Sequence, residues 1–220
     1  MNQITLIFDL DGTLIDSAPA ILQCFKAVLD EAGILPVVPF DSSLIGPPLR
    51  QTLMKLTGLP AGDDLEQLAQ GFQRIYDGEG YKSTQVYAGV EELLSTCATL
   101  GARMAIATNK RRVPTLKILE HFGWNGYFMQ VGTLDGMGVA HADKAALIAW
   151  LLKEMQADSR ASVYIGDKWE DGEAAAANNM TFVAVDWGYG QWDAALMPKE
   201  WSLMWSPWDF VTEVADRLFL

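Results

Sequence analysis

A short apolar segment that leads directly into two aspartates lies almost at the start of the chain. Residues 4–8 read ITLIF, with β-branched residues and no helical period, which predicts a strand buried on both faces of a parallel sheet. Asp9 and Asp11 follow, and Gly12 predicts a turn. Open α/β sheets bind ligands at the carboxyl ends of their strands, and buried carboxylates without partners cost several kcal/mol. We therefore predict a functional site at this edge, although an Asp-Gly turn that merely ends a strand is the simpler alternative.

The rest of the chain divides into two parts by its hydrophobic pattern. The chain between Ser17 and Thr84 carries three helical periodicities and no convincing strand, whereas predicted helices and strands alternate from Val90 onward. Such alternation is typical of a doubly wound parallel sheet. The expected fold class is therefore α/β, a Rossmann-like doubly wound parallel sheet with an inserted α-helical domain. We expect residues 1–14 and 87–220 to form the α/β core and residues 15–86 to form the insertion.

Polar residues recur where the predicted strands end or the next helices begin. In chain order they are Asp9 with Asp11, Thr108 with Asn109, Lys144, and Gly166-Asp167 with Asp171. This ordered set resembles the motifs of the haloacid dehalogenase-like hydrolases, specifically their phosphoglycolate phosphatase-like branch. The resemblance extends over nearly the whole chain, including residues 106–110 and 118–123. It implies a HAD-like fold in which the helical insertion is a small cap.

The resemblance also implies a role for each polar residue. Asp9 would attack phosphorus and form an aspartyl-phosphate, and Asp11 would protonate the leaving group and later activate water. The residues expected to bind the phosphoryl group are Thr108, Asn109 and Lys144. Without the other motifs, an ordinary turn threonine would be the favoured interpretation of Thr108.

A magnesium ion is the cofactor that the resemblance implies, because Mg²⁺ prefers hard oxygen ligands. Its expected protein ligands are Asp9, Asp11 through the main-chain carbonyl, Asp167 and Asp171. The helix dipole alone also favours an acid at Asp171, so a purely structural role stays open there. Ala145 replaces the proline that often follows the lysine in this family, and Lys168 is a rival to Lys144 as the phosphate-site cation.

Within the insertion, Arg50 follows Pro47-Pro48 and is predicted to contact the substrate. A cap that closes would exclude water and supply groups that select the substrate. A surface arginine is the alternative, since arginines are mostly exposed.

Composition limits the partners and the compartment. The chain has 28 acidic and 16 basic residues and a formal charge of -12, which disfavours nucleic acid and anionic membranes as partners. Cys24 and Cys97 lack any metal-ligand spacing and are expected to be free, buried thiols. We expect a cytoplasmic monomer or homodimer. We also expect the tryptophans of the carboxyl-terminal segment to pack in a core, and these are Trp187, Trp192, Trp201, Trp205 and Trp208.

The leading functional hypothesis is a Mg²⁺-dependent phosphatase that acts on a small phosphorylated metabolite. A sugar-phosphate mutase is one alternative, although the segment 18–22 lacks the histidine of mutase relatives. A phosphonate hydrolase would use a cap lysine, for which Lys55 is a candidate. The remaining alternative is a non-enzymatic phosphate-binding protein of the same fold.

Overall fold

The computed structural model describes residues 4–138 and 143–218, with side chains described up to residue 212. His141, for which the sequence predicts no catalytic role, lies outside the described residues. The strands in chain order are β1 (Thr5–Phe8), β2 (Ile15–Asp16), β3 (Gln85–Val86), β4 (Arg103–Thr108), β5 (Phe128–Thr133), β6 (Ser162–Gly166), β7 (Thr181–Val185) and β8 (Ser202–Met204). The helices are α1 (Ala18–Ala32), α2 (Leu49–Thr57), α3 (Asp63–Gly78), α4 (Val90–Thr99), α5 (Arg112–His121), α6 (Lys144–Glu154), α7 (Trp169–Ala177) and α8 (Pro207–Leu218).

Six parallel strands form one sheet in the order β5-β4-β1-β6-β7-β8, which confirms the predicted doubly wound fold. The first strand lies in the interior of this sheet, between β4 and β6. Its residues alternate between two cores. Leu6 and Phe8 face the apolar cluster that includes α4 and α8, whereas Ile7 faces the cluster formed with α6 and α7. Both faces of β1 are therefore buried, as its continuous apolar sequence predicts.

The helices α1, α2 and α3 follow β1 in the sequence and precede the other strands of the six-stranded sheet. Their apolar side chains form a separate cluster. Phe25 of α1 and Phe72 of α3 lie at its centre, with ring centroids 4.5 Å apart. Helix α1 ends at Gly33, whose φ of 66° is the left-handed conformation that glycine adopts without strain. The short antiparallel strands β2 and β3 pair at the two points where the chain enters and leaves this helical segment.

Several polar contacts join the helical segment to the α/β part. Arg111 of the α/β part forms a two-pronged ion pair with Asp77 of α3, with Nη1 2.7 Å from Oδ2. Asn109 Nδ2 donates a hydrogen bond to Gly46 O at 3.1 Å. Lys117 Nζ also donates to the main-chain oxygen of Asp77. These contacts hold the helical segment over the carboxyl ends of β1 and β4.

The carboxyl-terminal segment adds an edge strand, β8, and helix α8, neither of which the sequence analysis predicted. The prediction that its tryptophans pack in a core is correct for Trp187, Trp192 and Trp201, which lie against the two sheet cores. It is wrong for Trp205 and Trp208, which are 66% and 51% exposed. Trp208 lies across Gly89 on the surface and donates its indole N–H to Glu92, so it covers one glycine rather than entering the core.

Both cysteines are buried free thiols, as predicted. Within the part of the chain that the structure describes, none of the helices combines the length and the apolar character needed to cross a membrane.

Candidate active site

Asp9 lies at the carboxyl end of the central strand, and the sheet fixes its position. Its main-chain N–H donates to Ile165 O of β6 at 2.8 Å, which continues the parallel ladder one residue beyond β1. The chain then turns at Gly12, where φ is 88°. A side chain at this position would also collide with the carboxylate of Asp167. Gly12 is therefore needed both for the turn and for the close approach of the second acid.

Asp167 occupies the equivalent position at the end of β6 and is completely buried. Its Oδ2 accepts hydrogen bonds from the main-chain N–H groups of Tyr189 at 2.8 Å and Gly190 at 3.3 Å. Its Oδ1 is buried without a hydrogen-bond partner among the described residues. Gly188 and Gly190 lie so close to Asp167 that a side chain on either would overlap it. The loop after β7 therefore wraps tightly around one oxygen of this carboxylate and leaves the other available.

Lys144 lies at the first position of α6, and its ammonium group connects two of the acids. Its Nζ is 2.6 Å from Asp171 Oδ1 and 3.2 Å from Asp9 Oδ1, and only the first contact is a hydrogen bond. The other oxygen of Asp171 accepts from the main-chain N–H of Lys168 at 3.0 Å. Burial opposes the charge of Lys144, but Asp171 and Asp9 hold its pKa well above the ordinary value.

Three buried carboxylates meet here around a single ammonium group. One oxygen each of Asp9, Asp167 and Asp171 lies within 4.8 Å of the others. Burial raises the pKa of Asp9 well above its ordinary value of 3.8, Lys144 opposes that shift, and Asp171 and Asp167 add to it. Burial and Asp171 likewise raise the pKa of Asp167. The three carboxyl groups share one ammonium group, so full ionisation of the site would require further positive charge.

This donor set fits a divalent cation with a preference for oxygen ligands. Asp9 Oδ1 and Asp167 Oδ1 are both buried and lack a hydrogen bond within the described chain, which leaves them free to coordinate. Both oxygens of Asp171 already accept hydrogen bonds, so it is better placed to orient Lys144 than to bind a metal directly.

The side chain of Asp11 points into a different set of contacts, between the sheet and the helical segment. Its Oδ1 accepts a hydrogen bond from Lys110 Nζ at 2.8 Å and another from Ser17 Oγ. The Lys110 and Asp11 side chains are only 5% and 10% exposed. Although burial opposes its charge, Asp11 and Tyr76 hold the pKa of Lys110 above the ordinary value. Lys110 Nζ also lies 4.7 Å from the centroid of the Tyr76 ring, a cation–π contact.

Thr108 and Asn109 lie at the end of β4, beside Asp9. Thr108 is buried, and its Oγ1 accepts a hydrogen bond from Lys110 N at 3.1 Å. Asn109 bonds through Nδ2 to Gly46, while its buried Oδ1 has no hydrogen-bond partner among the described residues. The structure thus brings Thr108 and Asn109 to the same sheet edge as the acids.

Arg50 is the candidate residue that the structure keeps apart from this group. Its guanidinium forms two hydrogen bonds with Glu66, 2.8 and 2.7 Å long, and the side chains are 54% and 42% exposed. This surface pair joins α2 to α3 and corresponds to the surface alternative considered for Arg50. Lys168, the rival candidate for the phosphate-site cation, makes a different contact from Lys144. Its Nζ lies 5.8 Å from the centroid of the Tyr189 ring, whereas the Nζ of Lys144 contacts Asp171 and Asp9.

Sequence reasoning did not single out Lys110, Ser17 or Tyr189. Lys110 follows Thr108 and Asn109 directly, so its place after a strand end was a usable signal. The sequence around Tyr189 indicates only a loop, because Tyr189 lies between Gly188 and Gly190. The path of that loop toward the site depends on tertiary structure. In the structure its N–H binds Asp167, while its hydroxyl accepts from Ser17 N and Ala18 N at 2.7 and 2.9 Å.

A parallel α/β sheet with buried carboxylates at the ends of two adjacent strands, and a helical segment over that edge, is typical of α/β enzymes that bind their ligands at the carboxyl ends of the strands. The haloacid dehalogenase-like hydrolase family profile matches residues 6–185. The chain therefore belongs to the haloacid dehalogenase-like hydrolases, as the sequence motifs predicted.

Relatives of known name support this family and its phosphoglycolate phosphatase-like branch. A phosphoglycolate phosphatase of Psychrobacter arcticus is 31% identical over 214 residues, which cover 91% of each chain. Tyrosine-protein kinase PtkA of Mycobacterium tuberculosis is 32% identical over 189 residues, 86% of this chain, but the match spans only 64% of the length of that relative. A predicted phosphatase from Clostridium acetobutylicum has a similar structure, with a TM-score of 0.83, 27% identity and coverage of 98% and 100% of the two chains.

Proposed function

We propose that this protein is a Mg²⁺-dependent phosphatase that hydrolyses a small phosphomonoester through an aspartyl-phosphate on Asp9. The observation that carries this proposal is the pair of buried oxygens, Asp9 Oδ1 and Asp167 Oδ1, that accept no hydrogen bond within the described chain and lie in the cluster of acids around Lys144. A protein that used this edge only for packing would gain nothing from burying three carboxylates around one ammonium group, because each costs free energy of folding.

The chain's own residues would divide the reaction into two steps. In the first, a bond forms between an Asp9 carboxylate oxygen and phosphorus, the ester P–O bond breaks, and Asp11 gives its proton to the departing oxygen. In the second, Asp11 takes a proton from water, the water oxygen attacks phosphorus, and the bond to Asp9 breaks. The sum consumes one water molecule and restores both aspartates.

The remaining polar residues would bind and orient the phosphoryl group. Lys144 offers an ammonium group 3.2 Å from Asp9 and is held in place by Asp171. Thr108 and Asn109 offer a hydroxyl and main-chain N–H groups at the neighbouring strand end. Mg²⁺ bound by Asp9, Asp167 and the main-chain carbonyl of Asp11 would supply the positive charge that the acidic site lacks.

We further propose that residues 15–86 act as a cap that closes over this site, with residues 1–14 and 87–220 as the catalytic core. The separate apolar cluster of α1, α2 and α3 supports this division. So do the few polar contacts, such as Arg111 with Asp77, that join the two parts. A cap held in this way would exclude water while Asp9 attacks.

A tyrosine kinase is the second candidate function, because relatives with that printed name share 32% identity with this chain. In that case a tyrosine hydroxyl rather than water would accept the phosphoryl group. Incubation with radiolabelled ATP and a tyrosine-containing peptide separates the candidates. Label on peptide tyrosine would support the kinase, and release of inorganic phosphate from monoesters without peptide labelling would support the phosphatase.

The Asp9→Asn variant tests the nucleophile directly. The amide is nearly isosteric but is a poor nucleophile and a poor metal ligand, so hydrolysis of p-nitrophenyl phosphate should fall by about 10⁴-fold or more. Chelation of divalent cations should abolish the wild-type activity, and Mg²⁺ should restore it. Asp30→Asn is the matched control, because Asp30 lies on the surface in an exposed ion pair with Lys26. Activity near the wild-type rate in Asp9→Asn, with an unchanged circular dichroism spectrum, would refute the mechanism.

A further inference from the structure

A narrow cavity lies between the helical segment and the α/β core, and Asp11 forms part of its wall. The cavity encloses about 60 Å³. The other lining residues come from α1, α2, α3 and the loop before α2 on one side, and from residues 109–114 on the other. Under the proposed function Asp11 protonates the departing oxygen. The group attached to that oxygen would therefore extend into this cavity.

The cavity walls on the side of the helical segment are mostly hydrocarbon. Ile21 and Phe25 of α1, Leu44 and Leu49 before and at the start of α2, and Phe72 of α3 form this side. Phe25 and Phe72 are nearly fully buried in the cluster behind the cavity, so these walls are fixed by packing. Apolar surface of this kind favours an apolar ligand, because burial removes hydrocarbon from water.

The two basic residues that line the cavity each already have a carboxylate partner. Lys110 pairs with Asp11 at 2.8 Å, with both side chains nearly buried. Arg111 forms its two-pronged pair with Asp77, and each of these side chains is 18% exposed. A second anionic group on the substrate would have to compete with these internal carboxylates, and an unpaired buried anion is strongly disfavoured.

Lys168 and Tyr76 also lie near or in the cavity wall, and neither provides a cation inside the cavity. Lys168 approaches Gly46 with its side chain, but its ammonium group lies by the Tyr189 ring and does not belong to the cavity lining. Tyr76 lines the cavity, and its buried hydroxyl has no hydrogen-bond partner among the described residues. A neutral hydroxyl provides one hydrogen bond but does not neutralise a carboxylate.

We propose that the substrate's leaving group is a short apolar alcohol or phenol that carries no second anionic group. This inference rests on the proposed phosphatase function and specifies its substrate class. It distinguishes this chain from its relatives named phosphoglycolate phosphatase, since phosphoglycolate carries a carboxylate on its leaving group.

Two substrates of matched shape test the proposal. Isobutyl phosphate and 2-phosphoglycolate differ in that an isopropyl group replaces a carboxylate. With Mg²⁺ and the full chain, we expect kcat/KM to be at least about tenfold higher for isobutyl phosphate. Equal values, or a preference for 2-phosphoglycolate, would overturn the substrate class while leaving the phosphatase function intact.

Leu49→Lys places a cation in the half-buried part of the cavity wall. It should lower kcat/KM for isobutyl phosphate and raise it for 2-phosphoglycolate, so that the ratio of the two changes by about tenfold or more. Leu59→Lys is the matched control, since Leu59 is also half-buried against the same apolar cluster but does not line the cavity. A ratio unchanged in Leu49→Lys, or changed equally in both variants, would contradict the assignment of specificity to this cavity.

Binding of non-hydrolysable analogues separates this inference from failure of the proposed function. The pair 3-methylbutylphosphonate and 3-phosphonopropionate replaces the ester oxygen of the two substrates with carbon. Calorimetry with Mg²⁺ should give at least about tenfold tighter binding of 3-methylbutylphosphonate. Turnover of no monoester would refute the phosphatase function, and tighter binding of 3-phosphonopropionate would refute the apolar cavity as a leaving-group site.

Discussion

Asp11 and Lys110 form an ion pair that is almost completely removed from water, unlike the surface ion pairs within the helical segment. The side chains of Lys110 and Asp11 are 5% and 10% exposed. In the surface ion pair of Lys82 and Glu79, the side chains are 45% and 81% exposed. An exposed pair contributes little to stability, because water solvates each partner after the other is lost. A buried pair that loses one partner leaves an uncompensated charge in a medium of low polarity.

Lys110→Met should therefore lower the free energy of unfolding by about 3 kcal/mol or more, because it leaves the Asp11 carboxylate buried without its cation. Lys82→Met is the control and should leave the free energy of unfolding nearly unchanged, because water solvates both partners of this exposed pair. Urea denaturation of both variants, followed by circular dichroism, measures the difference. Equal small losses would show that Asp11 gains water or another partner when Lys110 is removed.

At the residue scale, the sequence predicted best the groups whose position follows from the sheet itself. Asp9 and Asp167 each follow a strand directly, Thr108 is the last residue of β4, and parallel pairing alone brings these strand ends together. Lys110, Ser17 and Tyr189 reach the site through the packing of the helical segment and the path of a loop, which hydrophobic periodicity does not encode. The predicted substrate contact of Arg50 depended on the orientation of α2, and the structure pairs that side chain with Glu66 instead.

The loop between β7 and β8 connects two parts of the molecule through one residue, Tyr189. Its main-chain N–H donates to Asp167, and its hydroxyl accepts from Ser17 N and Ala18 N and donates to Asp16 Oδ1 at 2.9 Å. The hydroxyl thus caps the first turn of α1, where the helical segment begins. Helix α1 gains from Tyr189 the acceptor that the Ser17 side chain does not provide, because that side chain binds Asp11.

Tyr189→Phe should lower the free energy of unfolding by about 1–3 kcal/mol, since the buried Ser17 N–H loses its acceptor. Thermal or urea denaturation measures this loss. Tyr127→Phe is the control, because Tyr127 is also half-buried and its hydroxyl makes no hydrogen bond among the described residues. If both variants lose the same stability, the hydroxyl of Tyr189 does not anchor the start of α1.

At the scale of elements, the sequence predicted the order of helices and strands of the sheet well and the carboxyl-terminal segment poorly. Strands such as β1 and β6 are continuous apolar runs that end at polar residues, which is a strong local signal. β8 has only three residues and lies at the sheet edge. The many tryptophans around it leave no clear strand or helix period in the sequence, so neither β8 nor α8 was predicted. A tryptophan of this segment is buried only where the fold packs it against the sheet. Local sequence does not determine which tryptophans these are.

The stability of the whole molecule should depend on pH through its buried acids. Burial raises the pKa of Asp9 and Asp167 in the folded state above the ordinary value of 3.8. Between that value and the raised pKa, the folded state holds more protons than the unfolded state, so the free energy of unfolding falls as pH rises. A bound divalent cation would replace these protons and remove the penalty.

We therefore expect the Tm of the metal-free protein to be lower at pH 8 than at pH 5, and Mg²⁺ to raise the Tm more at pH 8. Asp167→Asn removes one of the titrating groups, so its Tm should fall less over the same range. Differential scanning calorimetry in EDTA and in Mg²⁺, at matched ionic strength, measures both effects. A parallel fall in the wild type and Asp167→Asn would show that other groups control the pH dependence.

The central position of β1 has a consequence for how the chain is made. Of the six strands of this sheet, β1 is synthesised first, yet its neighbours in the sheet begin at Arg103 and Ser162, and contacts this distant in sequence form slowly. Asp9 and Asp11 are therefore synthesised well before the strands that flank β1 in the folded sheet. Asp167 gains its two amide donors only when Tyr189 and Gly190 have been added. The candidate site thus begins with the first strand of this sheet and is completed only by the loop between β7 and β8.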